Sequence, residues 1–316
     1  MSNKTARAFA PASVANVAVG FDILGFSFAG CGDTVEVEWS PGESVHGVTV
    51  TEIRDGPFGS GAGKIPKDSL RNTAAVSVQA MLNKLALKGA VRLKIEKGIP
   101  LSSGMGGSAA SAVASVVAIN ALLERHLDWI ELLDFALEGE KVASGGMHLD
   151  NVLPCLRGGL NLVAAPGQYV KWKVPNELYC ALVHPDIEIQ TRFARSLLSE
   201  NTTLKLHVEQ SGYLGGFLAG LALPDWDMIK ATLHDVIVEP QRSQLIPGFN
   251  QAKESALKAG ALGFSISGSG PTVFALARGR AAAEKSSEAI RRALTAAGLS
   301  SHSWVAPVEA EGARIL

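Results

Sequence analysis

The chain is short of cysteine, short of aromatic residues, without excess charge of either sign, and without an apolar run long enough to span a bilayer. Its 3 cysteines, Cys31, Cys155 and Cys180, share no C-x-x-C spacing. That argues against a disulfide scaffold or a cysteine zinc site and favours a reducing, cytoplasmic setting. Lys plus Arg number 29 against 30 Asp plus Glu, a net charge of −1, so bulk electrostatics does not hold the chain on nucleic acid. The most apolar stretch, 109–123, is interrupted by Ser111, Ser115 and Asn120. It falls short of the roughly 20 residues a membrane span needs and reads as a buried helix. Residues 1–10 carry no apolar core or cleavage pattern of a secretory signal. Aromatics make up 6%, while glycine reaches 33 of 316 residues, above the usual level of about 7%. So much glycine implies tight turns and backbone that approaches a ligand closely.

At 316 residues and 47% hydrophobic, the chain is long and apolar enough for two packed domains. Alternation or β-branching predicts strands at 6–10, 34–39, 45–53 and 91–95, helical spacing predicts a helix at 72–87, and two further helices are expected at 109–125 and 129–143. The stretch 144–167 reads as turns, because Gly145, Gly146, Gly158, Gly159, Pro166 and Gly167 punctuate it. A domain boundary near Pro166 gives an N-terminal unit 1–165 and a C-terminal unit 166–316. In the second unit the expected strands are 179–184, 261–267, 272–277 and 303–307, and the expected helices 191–198, 204–223, 248–259 and 281–297. Strands and helices mix in both halves, which makes the fold class α+β.

Three segments carry chemistry. The first is Pro100, Leu101, Ser102, Ser103, Gly104, Met105, Gly106, Gly107, Ser108 and Ala109, between an expected strand and a long Ala-rich helix. Glycines let the backbone curl with its amides inward, and the helix N-terminus adds orphan donors and partial positive charge, together a phosphate cradle. A glycine-rich turn with capping serines is the plainer reading. Neither G-x-G-x-x-G nor a Walker A sequence matches, since Gly63 and Lys64 are followed by Ile65. A triphosphate needs a cation, and of Glu138 and Glu140, two apart on the next helix, at most one can face the loop. In the second segment, 10–25, Asn16 and Asp22 interrupt an apolar run, so Asp22 either caps a helix or meets a cation. The third, Ser267 to Pro271, is a glycine-rich turn between apolar strands; it either serves as a turn alone or shapes an acceptor pocket.

In order and spacing, these segments resemble the three motifs of the GHMP kinases, and the likeness covers essentially the whole chain. It is greatest to the branch that phosphorylates homoserine, through Pro11 to Asn16, Gly20 to Asp22, the run His148, Leu149, Asp150, Asn151, and the turn 267–271. Ala18 and Val19 stand where that branch has Gly and Pro, and Gly107 replaces the first loop serine. The resemblance implies two α+β domains, the first like domain 2 of ribosomal protein S5 and the second ferredoxin-like, with the site in the cleft between them. It implies ATP and Mg²⁺ as cofactors, L-homoserine as substrate and a homodimer. Pro100 to Ala109 would hold the phosphates, Ser108 and Glu140 the Mg²⁺, and Asn72 would lie near the adenine. Asn16, Asp22, His148, Asn151, Thr191, Arg195 and Arg242 would form the acceptor pocket, with Asn151, His148 and Arg195 at the reaction centre. One carboxylate and two arginines suit a zwitterion, with Asp22 for the ammonium and the guanidinium groups for the carboxylate. A kinase of the same fold for another alcohol such as mevalonate, or a non-catalytic nucleotide sensor, is the alternative.

Overall fold

The computed structural model describes residues 3–42 and 47–316, so the first two positions of the strand expected at 45–53 lie outside the described residues. β1 (Lys4–Ala15) and β2 (Leu24–Pro41) form a long antiparallel pair. β2 also pairs with β4 (Gly89–Lys97), which carries β3 (Gly47–Asp55) parallel on its other side. Four helices serve this sheet: α1 (Thr73–Lys84), α2 (Gly107–Asn120), α3 (Trp129–Ser144) and α4 (Leu149–Arg157). α2 lies on β1 and β2 and is covered by α1 and α3. A helix enclosed in this way must be apolar all round, as its sequence is. α3 begins with a capping box, in which Asp128 accepts the amides of Ile130 and Glu131 while Glu131 accepts the Asp128 amide.

Two local expectations need correction. No helix follows Asp22 for it to cap: β1 runs on through Pro11 to Ala15, and Asn16, Val17, Ala18 and Asp22 take φ of 69, 45, 58 and 61°. Left-handed backbone at non-glycine residues is costly and persists only where its surroundings enforce it. The stretch 144–167 is not all turn, since it contains α4 and β5 (Leu160–Ala165). Leu149, Val152, Leu153 and Leu156 have the i, i+3, i+4, i+7 spacing of a buried helical face, which Pro154 and the flanking glycines conceal.

β5 pairs with both β2 and β6 (Gln168–Trp172), so the hairpin around Pro166 extends the first sheet. The second sheet contains β7 (Leu178–Pro185), β8 (Ala261–Ile266), β9 (Val273–Arg278) and β10 (Ser301–Pro307) in the order β10-β7-β9-β8, all antiparallel. Between β7 and β8 run α5 (Thr191–Ser196), α6 (Leu204–Ala222), α7 (Trp226–Thr232), α8 (Glu239–Arg242) and α9 (Phe249–Lys258), and α10 (Arg280–Ala296) joins β9 to β10. Strand, helices, two strands, helix, strand along the chain, with the strands in that sheet order, is the split βαβ of a ferredoxin-like fold. The chain then returns to the first sheet, where β11 (Arg314–Ile315) pairs with β1.

The second sheet is apolar on both faces. Ala181, Val183, Val273 and Ala275 pack with α9 and α10, whereas Cys180, Leu182, Phe274 and Leu276 join the core of the first sheet. Phe26 and Phe274 meet edge to face at 6.4 Å between ring centres. Among the described residues no helix is long and apolar enough to cross a membrane.

Candidate active site

The three chemical segments converge on a cavity of about 750 Å³, a volume typical of small-molecule sites. One end is mostly backbone. Pro100, Leu101, Ser102, Ser103, Gly104, Gly106, Gly107 and Ser108 line it, whereas Met105 and Ala109 are buried in the core and can offer only main-chain groups. Ser102, Gly104 and Gly106 have φ of 55, 76 and 67°, curling the loop. The carbonyls of Ser103, Gly104 and Met105 are held from behind by the Thr272 amide (3.2 Å), the Ser267 hydroxyl (2.8 Å) and the Ser13 amide (3.0 Å). In a planar trans peptide the N–H points opposite the C=O, so the amides that follow turn away from that wall. A Cβ at Gly104 would come within 2.5 Å of the Ser267 carbonyl, and one at Gly106 within 2.0 Å of Ser13 Oγ; the third segment thus packs directly on the loop. Asn72 lines the cavity with its side chain engaged, accepting the Ala75 amide and donating to the Pro66 carbonyl.

The other end is built of charged side chains. Asp22 is bound by Arg195, whose Nη2 donates to both carboxylate oxygens at 2.7 Å. Asn16 ties the first segment to the third: its Nδ2 donates to the Gly268 carbonyl at 3.0 Å and its Oδ1 accepts the Asp22 amide at 3.0 Å. Thr191 and Arg195 are one turn apart on α5, so both reach the cavity, and Thr191 also meets the Ser269 hydroxyl at 3.3 Å. Arg242, only 3% exposed, donates to the Ala194 and Gly268 carbonyls but has no carboxylate partner among the described residues. Burial and the neighbouring Arg195 charge lower its pKa to about 10. Both guanidinium groups lie 5.4 Å from the Phe21 ring centre.

At the start of α4, Ser13 Oγ donates to Asn151 Oδ1 at 2.7 Å, and Asn151 Nδ2 faces Asp150 Oδ1 at 3.3 Å. Asp150 is 2% exposed and has no cationic partner among the described residues. Burial first, and then the charge of Asp22, raise its pKa to about 7, against the opposing bond from Asn151. His148 is moved the other way: burial lowers its pKa, Arg195 and Arg242 add to that effect, and Asp22 opposes it. The imidazole is therefore neutral at neutral pH.

Ser108 and Glu140 line the same cavity from α2 and α3, and Glu140 is only 3% exposed. A hydroxyl and a carboxylate are the hard oxygen donors that Mg²⁺ takes beside phosphate. Among the described residues no group of three His, Cys, Asp or Glu could hold an ion alone, so an ion here would complete its shell with ligand oxygens and water. Glu138 instead faces outward to Lys141.

Sequence reasoning missed Asp150, Ser13 and the buried pair Asp33 and Lys97. Asp150 and Ser13 lie within the motif runs that carry the resemblance, but it is burial without a cationic partner among the described residues that singles Asp150 out.

The cavity joins an amide-lined loop at a helix N-terminus to a pocket of paired and unpaired charge, the layout of a small-molecule phosphotransferase. Residues 72–159 match the GHMP kinases N terminal domain and residues 217–296 the GHMP kinases C terminal domain. A protein named homoserine kinase from Xylella fastidiosa is 47% identical over 311 residues, 98% of this chain and 94% of its own. Another of that name, from Chlorobium phaeovibrioides, is 43% identical over 99% of this chain and 100% of its own. The crystal structure of homoserine kinase from Cytophaga hutchinsonii superposes with a TM-score of 0.93 at 42% identity, covering 99% of this chain and 97% of that one. The chain belongs to the GHMP kinase family.

Proposed function

We propose that this chain transfers the γ-phosphoryl group of ATP to the side-chain hydroxyl of L-homoserine, releasing O-phospho-L-homoserine and ADP, a step toward threonine. The observation that carries the reading is a pair of opposite, uncompensated buried charges on one cavity, Asp150 and Arg242. Each is expensive to bury alone, and a zwitterion satisfies both. The names of the relatives agree. Arg242, with Arg195, receives the carboxylate, and Asp150, with Asp22 close by, receives the ammonium. Mevalonate would leave Asp150 unmatched, and galactose would leave both charges unmatched. A nucleotide sensor would need the phosphate loop but not these charges.

The amides from Gly104 to Ser108 hold the phosphates, and Asn72 shapes the adenine end. Ser108 and Glu140 would hold Mg²⁺, which would supply charge neutralisation at the phosphate oxygens. Phosphoryl transfer passes through a loose transition state, so positioning and charge neutralisation carry most of the rate. Asn151 is an amide whose Oδ1 is taken by Ser13, so it orients the acceptor hydroxyl by donation and removes no proton. That proton leaves to phosphate or solvent, with Arg195 stabilising the developing charge. His148 shapes the pocket as a neutral group. All 3 cysteines are free and buried, which suits a reducing cytoplasm, and the working unit is a homodimer.

The test is ADP release with Mg·ATP against L-homoserine, D-homoserine, L-serine, mevalonate and galactose. L-Homoserine should give the highest kcat/KM. Preference for an alcohol lacking the ammonium group would overturn the reading.

A further inference from the structure

Beneath the phosphate loop lies an ion pair that the reaction scheme above does not use. Asp33 on β2 is fully buried and Lys97, the last residue of β4, is 5% exposed. At the start of the loop, Asp33 Oδ1 accepts the amides of Gly98 (3.1 Å) and Ile99 (3.2 Å). At its far end, Lys97 Nζ donates to the Gly107 carbonyl in the first turn of α2 (2.8 Å) and to Ser111 Oγ one turn further on (2.9 Å). Ser111 Oγ in turn donates to Asp33 Oδ2 (2.7 Å), which also pairs with Lys97 Nζ.

Every polar atom in this network is used. The ammonium spends its three donors on three acceptors, both carboxylate oxygens accept, and the hydroxyl accepts once and donates once. A fully satisfied buried network rigidifies what it connects. What it connects is the two ends of the curled loop. The first peptides after β4 and the first turn of α2 are fixed to one carboxylate and one ammonium, so the loop's span cannot change without breaking the network. The cavity borders it directly, since Lys97 and Ser111 are among its lining residues.

We infer that Asp33, Lys97 and Ser111 are positioning residues that set the spacing of the phosphate-binding amides by clasping both ends of the loop. The inference rests on the reading that this loop binds the phosphates of ATP. It places the energetic effect of the clasp on phosphate recognition, and not on the adenosine part of the nucleotide or on the amino-acid acceptor.

Ser111→Ala is the decisive variant, because it leaves the directly paired Asp33 and Lys97 in place and removes only the side-chain hydroxyl through which α2 bonds both of them; Ser111→Thr retains the hydroxyl. Calorimetric dissociation constants for Mg·ADP, adenosine and L-homoserine are to be measured on each folded variant. Ser111→Ala should weaken Mg·ADP about tenfold, in line with loss of a buried hydrogen bond to charged groups. It should leave adenosine and L-homoserine within twofold, and Ser111→Thr should restore Mg·ADP binding. Lys97→Met should weaken Mg·ADP further with the same selectivity, and Ser111→Ala alone decides the matter if that variant does not fold. Unchanged Mg·ADP affinity, or equal losses for all three ligands, overturns the inference. If the unsubstituted chain binds neither Mg·ADP nor L-homoserine, it is the functional reading that fails instead.

Discussion

The two ends of the cavity solve the burial of charge in opposite ways. Beneath the phosphate loop, acid and base are matched to each other: Asp33, Lys97 and Ser111 satisfy one another and two backbone amides. At the acceptor end an ion pair joins Asp22 to Arg195, while Asp150 and Arg242 stay buried without partners of opposite charge among the described residues. A generic, strongly charged ligand such as a triphosphate is met by backbone held at a fixed shape. On the proposed function, a small ligand that must be told apart from its analogues would be met by charges left unsatisfied until it arrives, at a cost to the stability of the empty protein.

The largest effect expected from this contrast is at the unsatisfied charges. Arg242→Ala and Asp150→Asn should each weaken L-homoserine binding by about 2–4 kcal/mol, the usual cost of removing one member of a desolvated charge pair. Asp150→Asn, which keeps the shape of the side chain and removes its charge, should also raise the melting temperature, unlike substitutions in the matched network. The sign for Asp150 follows from linkage. Its folded pKa of about 7 lies above the ordinary aspartate value of 3.8, so its contribution to stability is present below the lower value and lost as pH rises through the upper one. The gain from Asp150→Asn should therefore be greater at pH 8 than at pH 5. The kcat/KM for L-homoserine should rise with pH through about 7 as Asp150 ionises. That limb should persist in His148→Ala and vanish in Asp150→Asn. If it vanishes in the histidine variant and imidazole restores turnover, a protein base is at work and the base-free scheme is wrong.

An intermediate effect is expected at Gly104, where an added Cβ would meet only backbone, at 2.5 Å from the Ser267 carbonyl and 2.7 Å from the Gly270 carbonyl. Gly104→Ala should cost about 1–3 kcal/mol through strain, read as weaker Mg·ADP binding with L-homoserine binding retained. The smallest is at Gly215 in α6, where a Cβ would find nothing within 4 Å. Gly215→Ala should stabilise the chain by about 0.5–1 kcal/mol, measured by denaturant unfolding, with kcat/KM unchanged. A drop in activity there would mean that the contrast drawn between the two ends omits a third sensitive region.

Much of this was legible before any coordinates. The strand segments at 6–10 and 34–39 follow from alternation, α10 from a period of 3.6, α2 from an Ala-rich apolar run and the loop from its glycines between strand and helix, whereas the extension of β1 to Ala15 and of β2 back to Leu24 does not. The segment 16–22 was not, because four residues in left-handed backbone are held by tertiary bonds to Gly268 and Arg195 that no local pattern encodes. Nor was α4, where Pro154 and paired glycines overwrite a helical stripe. The pairing of Asp22 with Arg195 depends on side chains 173 positions apart. A shortage of counter-charge, which marks Asp150 and Arg242, can be seen only once every neighbour is placed.

The chain passes between its two sheets twice, once from β6 to β7 and again from β10 to β11, and Phe26 rests against Phe274 in a core that belongs to both. Halves tethered in this manner and sharing one oily interior do not swing apart like jaws. At the cavity rim, by contrast, the solvent-washed contact of Lys64 with Glu188 is all side chain and can open without disturbing that shared interior.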